Sequence, residues 1–227
     1  MEGAAGERII IDAGPEFRLQ AVRAGITQLD ALLLTHAHAD HLHGLDDVRP
    51  LTHQTSLNVY AAAATLNEVK ERFPYIFKRG GQQGGGIPRL KLTAADAEPF
   101  SVGNLTITPL PVRHGIFEVL GWKFSENGQS AAYITDVNDI PSATNALTAD
   151  IGVLVIGALR VEPHATHFCF DQALEAAART GARTVYLTHL CHNHSHAEIT
   201  AHCERWTAAH HAPFCAAPAW DGLTISI

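Results

Sequence analysis

Leu29-Asp30-Ala31-Leu32-Leu33-Leu34-Thr35-His36-Ala37-His38-Ala39-Asp40-His41 is the stretch on which the reading of this chain turns. Its apolar run predicts a β-strand, Leu29 to Leu34, that passes straight into a loop carrying His36, His38, Asp40 and His41. Side chains on a loop at a strand end can converge on one point, and imidazole nitrogen with carboxylate oxygen suits a divalent metal. The plain alternative is a solvated histidine-rich turn. His43, two positions past the cluster, is read as structural or as a support for a ligand rather than as a ligand itself. One short loop cannot surround two ions, so further ligands are expected at other strand ends. His114 follows Leu110-Pro111-Val112-Arg113, Asp136 ends Ala131 to Thr135, and His189 follows Val185-Tyr186-Leu187-Thr188. Each alone could be an ordinary hydrogen-bonded loop residue; beside the His36 to His41 loop they form a candidate metal set.

Working outward, the 227 residues are 46% hydrophobic and 17% charged, which suits a packed core and excludes a solvating, disordered segment. The net charge of −7 is scattered, which argues against an extended nucleic-acid surface. No basic segment with an apolar core opens the chain, and no apolar run is long enough to span a bilayer, so the expected setting is cytoplasmic, without a membrane partner. Cys169, Cys191, Cys203 and Cys215 are widely spaced and form no C-x-x-C, as reduced thiols would be. No linker divides the sequence, and residues 1–227 are read as one domain.

Further strands are predicted at Arg8 to Ile11, Leu57 to Ala61, Leu105 to Leu110, Val119 to Phe124, Ile151 to Ile156, Thr184 to Leu187 and Leu223 to Ile227. Helical spacing marks Glu16 to Ala24, Ala62 to Phe73, Phe170 to Thr180 and His196 to Ala209. From Lys91 to Thr135 strands follow one another, with Glu126-Asn127-Gly128 as a hairpin turn, so a layered α/β arrangement with mixed sheets is expected. Lys78 to Pro88 holds five glycines and is expected to be a mobile surface loop bordering the site.

Taken together, Asp12 in Ile-Ile-Ile-Asp-Ala-Gly, the His36 to His41 loop, His114, Asp136 and His189 resemble, in order, the motifs of the metallo-β-lactamase fold hydrolases. Thr35 to Arg49, Pro111 to Gly115, Tyr133 to Val137 and Leu187 to Leu190 are most similar to the branch containing phosphoribosyl 1,2-cyclic phosphate phosphodiesterase. The resemblance implies a four-layer αββα sandwich and two divalent ions, zinc or manganese, with iron also compatible. It implies that His36, His38 and His114 hold one ion, that Asp40, His41 and His189 hold the other, and that Asp136 bridges them. Asp12 is implied to fix the metal loop by hydrogen bonds, against the simpler reading of an aspartate opening a turn. Relatives begin with a strand, a glycine-rich turn and a second strand ahead of the segment that starts here at Glu7. The sandwich is therefore expected to lack its first N-terminal hairpin, and the open sheet edge invites a homodimer.

The chemistry that follows is a phosphodiesterase acting on a small cyclic or linear phosphodiester, with a hydroxide shared by the two ions as nucleophile and Asp40 among the catalytic residues. Family members that hydrolyse amides commonly carry a cysteine near the position of Asp136, so this donor set of nitrogen and oxygen favours phosphodiesters. The departing alkoxide needs a proton. His167, in Arg160-Val161-Glu162-Pro163-His164-Ala165-Thr166-His167, resembles the general acid of related phosphodiesterases; His164 is the second candidate, and Arg160 could clamp a phosphate. His192, His194 and His196 are read as rim or helix-capping residues. Two alternatives stand beside this reading. One is a ribonuclease of the transfer-RNA processing type or a thioester hydrolase of the glyoxalase II type; the other is a metal-binding accessory or sensor without turnover.

Overall fold

The computed structural model describes residues 1–78, 86–96 and 98–227. It divides into two compact units, Met1–Leu105 and Thr106–Ile227. The glycine-rich segment of the Lys78 to Pro88 expectation lies mostly outside the described residues.

In the first unit the chain runs β1 (Ile9–Ile11), α1 (Phe17–Arg23), β2 (Ala31–Leu33), α2 (Ala39–Leu42), a 3-10 helix (Leu45–Thr52), β3 (Leu57–Ala61), α3 (Ala63–Arg72), α4 (Pro74–Phe77), β4 (Leu90–Ala94) and β5 (Phe100–Val102). Strands β1 to β4 lie side by side in sequence order, all parallel. Every residue of β2 is buried, the signature of a parallel strand covered on both faces, which explains its unbroken apolar run. Strand β3 instead alternates, with Leu57, Val59 and Ala61 inward. Phe17, Leu32, Leu34, Leu42, Leu45, Val48, Val59 and Val69 make the core of this unit.

The second unit runs β6 (Leu105–His114), β7 (Phe117–Glu126), β8 (Gln129–Ile134), α5 (Ser142–Leu147), β9 (Val153–Gly157), α6 (Phe170–Ala177), β10 (Thr184–Thr188), α7 (His196–Ala209) and β11 (Cys215–Pro218), with Leu105 at the boundary. The larger sheet has the order β11-β10-β9-β8-β7-β6-β5. It is mixed: β6, β7 and β8 pair antiparallel, and β8, β9, β10 and β11 pair parallel. Asn127 and Gly128 at the β7–β8 turn have φ of 51° and 77°, the left-handed pair that a two-residue hairpin of matching twist requires. Phe170, Ala173, Leu174 and Ala177 of α6 recur at helical spacing and face the core with Leu154, Ile156, Val185, Leu187 and Trp206.

Two expectations are corrected. Leu223 to Ile227 is not a strand but follows a turn closed by the bond from Leu223 N–H to the Trp220 carbonyl. The edge beside β10 is taken by Cys215–Pro218, a short alanine- and proline-containing segment without a β-forming pattern, which pairs with Thr184–Leu187. In addition, helix α7 is capped by Ser195, whose hydroxyl accepts from Glu198 N–H while Glu198 accepts from Ser195 N–H; none of the neighbouring histidines caps it. Among the described residues no helix is long and apolar enough to cross a membrane.

Gly14 and Gly44 permit the close backbone approach on which the first unit's loop depends. Ala13 N–H donates to the His41 carbonyl at 2.7 Å, and Gly44 N–H to the Ala13 carbonyl at 2.8 Å. A Cβ on Gly14 would collide with the Asp40 carbonyl oxygen, and one on Gly44 with that of Gly14. Gly44→Ala is therefore expected to lower the unfolding free energy by about 3 kcal/mol. Denaturant melts should show this as a lower midpoint at unchanged slope; an unshifted midpoint would mean that the backbone gives way freely.

Candidate metal centre

Within the first unit, β1 and β2 are parallel and in register from Ile9 with Ala31 to Ile11 with Leu33, so both end at one level. Asp12 emerges from β1 with φ of 60° and Thr35 opens the loop after β2. The Asp12 carboxylate accepts three hydrogen bonds, each 2.7 Å long, from Thr35 N–H, the Thr35 hydroxyl and His41 Nδ1–H. Burial pushes the Asp12 pKa up, and these donors oppose that shift. Because the Thr35 hydroxyl gives its proton to Asp12, its contact with His36 Nδ1 at 3.0 Å is one in which it accepts. Asp12 thereby orients both His36 and His41 with Nε2 as the lone-pair nitrogen. The expectation that Asp12 fixes the loop holds, and Thr35 is a partner that sequence reasoning missed.

His36 and His41 are buried, whereas His38 and Asp40 are exposed at the loop surface. The His36 ring lies 4.5 Å from that of His38 and 4.2 Å from that of His41, centroid to centroid. His41 Nε2 stands 3.3 Å from Asp40 Oδ2. Two ligand atoms at tetrahedral positions on one zinc ion stand ~3.4 Å apart, so this pair fits a shared ion. His43 is exposed and sits edge-on to Phe73, in keeping with a structural role.

Within the second unit, two antiparallel pairings bring β6 back into the direction of β8, so His114 and Asp136 leave their strands at the same end. Strands β8, β9 and β10 are parallel, and His189 follows β10 at that end too. Asp136 and His189 flank β9, which ends at Gly157, where a Cβ would stand 3.0 Å from the Asp136 backbone nitrogen; the lack of a side chain there lets the two residues meet past the strand end. Both have left-handed backbone, φ of 42° and 56°. Asp136 is only 2% exposed, with Oδ1 3.3 Å from His189 Nε2 and Oδ2 3.9 Å from His114 Nε2. Its two oxygens thus face two different imidazoles, as a carboxylate shared by two ions requires. His114 Nδ1–H donates to the Thr166 carbonyl at 2.8 Å, which leaves Nε2 as the lone-pair nitrogen. The donor chemistry in both units fits divalent metal.

His167 lies among these groups. Its ring stacks on His189 at 5.0 Å and meets His114 edge-on at 4.7 Å. Burial is the main cause that pushes its pKa down to about 4, helped by the neighbouring imidazoles and opposed by Asp136. His164 is exposed, 5.1 Å from the His167 ring, with Nδ1 accepting from Thr166 at 3.3 Å. Arg160 Nε has Glu162 at 3.8 Å, so it does not stand as an isolated phosphate clamp.

The chain belongs to the metallo-β-lactamase superfamily: the family model described as Beta-lactamase superfamily domain matches residues 7–190. A solved structure described as a new diphosphatase from the PhnP family is 33% identical, with a TM-score of 0.82 over 99% of this chain and 82% of that one. An octanoyltransferase of Porphyromonas gingivalis is 38% identical over 191 residues, 83% of this chain and 38% of that protein. A ribonuclease Z of Bradyrhizobium diazoefficiens is 33% identical over 127 residues, 53% of this chain and 41% of that protein. The chain thus spans about two fifths of the length of these two curated relatives.

The lowered pKa of His167 carries a stability consequence for the metal-free protein. As pH falls, the unfolded chain takes up this proton near 6.5 while the folded chain resists until about 4, so stability is full above 6.5 and declines across that window. His167→Gln is expected to flatten this part of the curve of melting temperature against pH. Identical slopes in variant and wild type would refute the assignment.

Proposed function

We propose that the His36, His38, Asp40 and His41 set and the His114, Asp136 and His189 set act as one centre for two divalent ions, and that the protein hydrolyses a small phosphodiester. On this reading His36, His38 and His114 serve one ion, Asp40, His41 and His189 the other, and Asp136 both. The observation that carries it is the buried Asp136 carboxylate with an imidazole Nε2 facing each oxygen. Similarity to the PhnP-family diphosphatase supports a phosphoryl substrate. Zinc, manganese and iron all suit this set, which holds no thiolate to select among them. Four free cysteines fit a reducing, cytoplasmic setting.

When bound, the ions supply neutralisation of phosphoryl charge and acidify water for attack at neutral pH. The chain supplies the rest. Asp12 and Thr35 hold His36 and His41 in the ligating tautomer, and the Thr166 carbonyl does the same for His114. His167, flanked by His114 and His189, gives the leaving alkoxide its proton. Burial favours the neutral form of this imidazole in the metal-free protein, and an anionic phosphodiester beside it favours the charged form, so substrate binding opposes the shift that burial causes. Relatives named ribonuclease Z support a second reading in which the phosphodiester belongs to an RNA.

A panel of bis(p-nitrophenyl) phosphate, a cyclic alkyl phosphodiester, a transfer-RNA precursor and a thioester, assayed with zinc- and manganese-loaded protein, tests the class. Turnover of the thioester alone would overturn it. Asp136→Ala is expected to retain fewer than two equivalents of metal, measured by elemental analysis; two full equivalents would refute the shared carboxylate.

His167→Ala is expected to keep the metal and lose ~10² to 10⁴ in turnover on alkyl phosphodiesters. The loss should be far smaller on p-nitrophenyl esters, whose leaving group departs without a proton. Equal losses on both would make His167 a structural residue and move the acid role to His164.

A further inference from the structure

Asn138, two residues beyond Asp136, is half-buried and uses both ends of its amide. Oδ1 accepts from Gly115 N–H at 2.8 Å, and Nδ2 donates to the Ala165 carbonyl at 3.1 Å. The backbone around it is stitched to the same two segments. Asn138 N–H donates to the Arg113 carbonyl at 2.9 Å, Arg113 N–H donates to that of Asp139 at 2.9 Å, and Phe168 N–H donates to that of Val137 at 2.6 Å. One segment, 113–115, carries His114; the other, 165–168, carries Thr166 and His167. The bond from His114 Nδ1–H to the Thr166 carbonyl closes the ring. Gly115, at φ of 63°, lies so near Thr166 that a Cβ on it would stand 2.9 Å from the Thr166 methyl. The two segments are in contact, and the Asn138 amide is the side-chain bridge between their backbones.

We propose that Asn138 is a positioning residue whose amide sets the segment bearing His114 against the segment bearing His167, and thereby the tautomer of His114 and its presentation toward Asp136. The chemistry needs a carboxamide. One planar group must accept from an N–H at one end and donate to a carbonyl at the other, which neither a carboxylate nor an alkyl group can do. A carboxylate at this place would keep the Gly115 bond and set an anionic oxygen against the Ala165 carbonyl. Without the bridge the backbone bonds through 137–139 still join both segments, but Gly115 and Ala165 lose their shared partner, the Thr166 carbonyl is held less closely against His114 Nδ1, and the fixed tautomer gives way to a mixture. The involvement of His167 in turnover rests on the phosphodiesterase reading; the geometry around His114 does not.

Asn138→Asp, which is isosteric, and Asn138→Ala are compared with wild type in the full chain. The readouts are the thermal melt, the His114 tautomer from ¹⁵N imidazole spectra of metal-free protein at fixed pH, and zinc affinity by competition with a chromophoric chelator. Both variants are expected to melt cooperatively, to replace the single Nδ1–H form of His114 by a mixture, and to bind zinc ~10- to 100-fold more weakly. A folded variant that keeps either the single tautomer or the wild-type zinc affinity overturns the proposal. If Asn138→Ala fails to fold, Asn138→Asp decides; if neither folds, the role is structural and the proposal falls. A wild-type protein that meets the tautomer and zinc expectations yet cleaves no phosphodiester removes the substrate reading and leaves Asn138 its role.

Discussion

A carboxylate taken out of water must be met by donors or by positive charge, and Asp136 is taken out almost completely. Its Oδ1 accepts from the Thr135 hydroxyl at 2.8 Å, and within the second unit the Nε2 atoms of His114 and His189 are turned toward its two oxygens. The second unit is arranged around this demand. Three strands that run the same way, β6, β8 and β10, deliver the three side chains at one end, and Gly157, the last residue of β9, removes bulk between two of them. A single register slip in any of these strands would turn the relevant side chain to the other face of the sheet.

The first unit meets the same demand for order by a different device. Here the candidate ligands fall within one short stretch, His36 to His41, so their arrangement depends on holding one loop in shape. Asp12 does this from the neighbouring strand through Thr35 and His41, and two glycines let the backbones approach. A local cluster of candidate ligands is thus held by one distant carboxylate, whereas the scattered candidates of the second unit are held by the sheet itself.

That difference explains what could be read beforehand. The His36 to His41 loop was legible because its chemistry is contiguous, and His114, Asp136 and His189 were legible because each ends an apolar run. Asn138 and Thr166 were not, because their importance lies in hydrogen bonds to segments 23 to 52 residues away that carry no periodic signal. Leu223 to Ile227 alternates like a strand, yet alternation records only what could be buried, not whether a partner edge is free. Cys215–Pro218 pairs because β10 offers that edge, a reason absent from its own four residues. Ser195 capping α7, by contrast, was written in the sequence as Ser195-His196-Ala197-Glu198.

The left-handed backbone at Asp12, Asp136 and His189 gives these positions a second job, independent of what their side chains hold. Aspartate and histidine tolerate this region better than alanine or a β-branched residue does. A saturation scan would therefore record intolerance at all three that mixes lost chemistry with backbone strain. Alanine is the wrong baseline there; glycine, which removes the side chain while relaxing the backbone, isolates the chemistry, and the gap between the two substitutions measures the strain by itself.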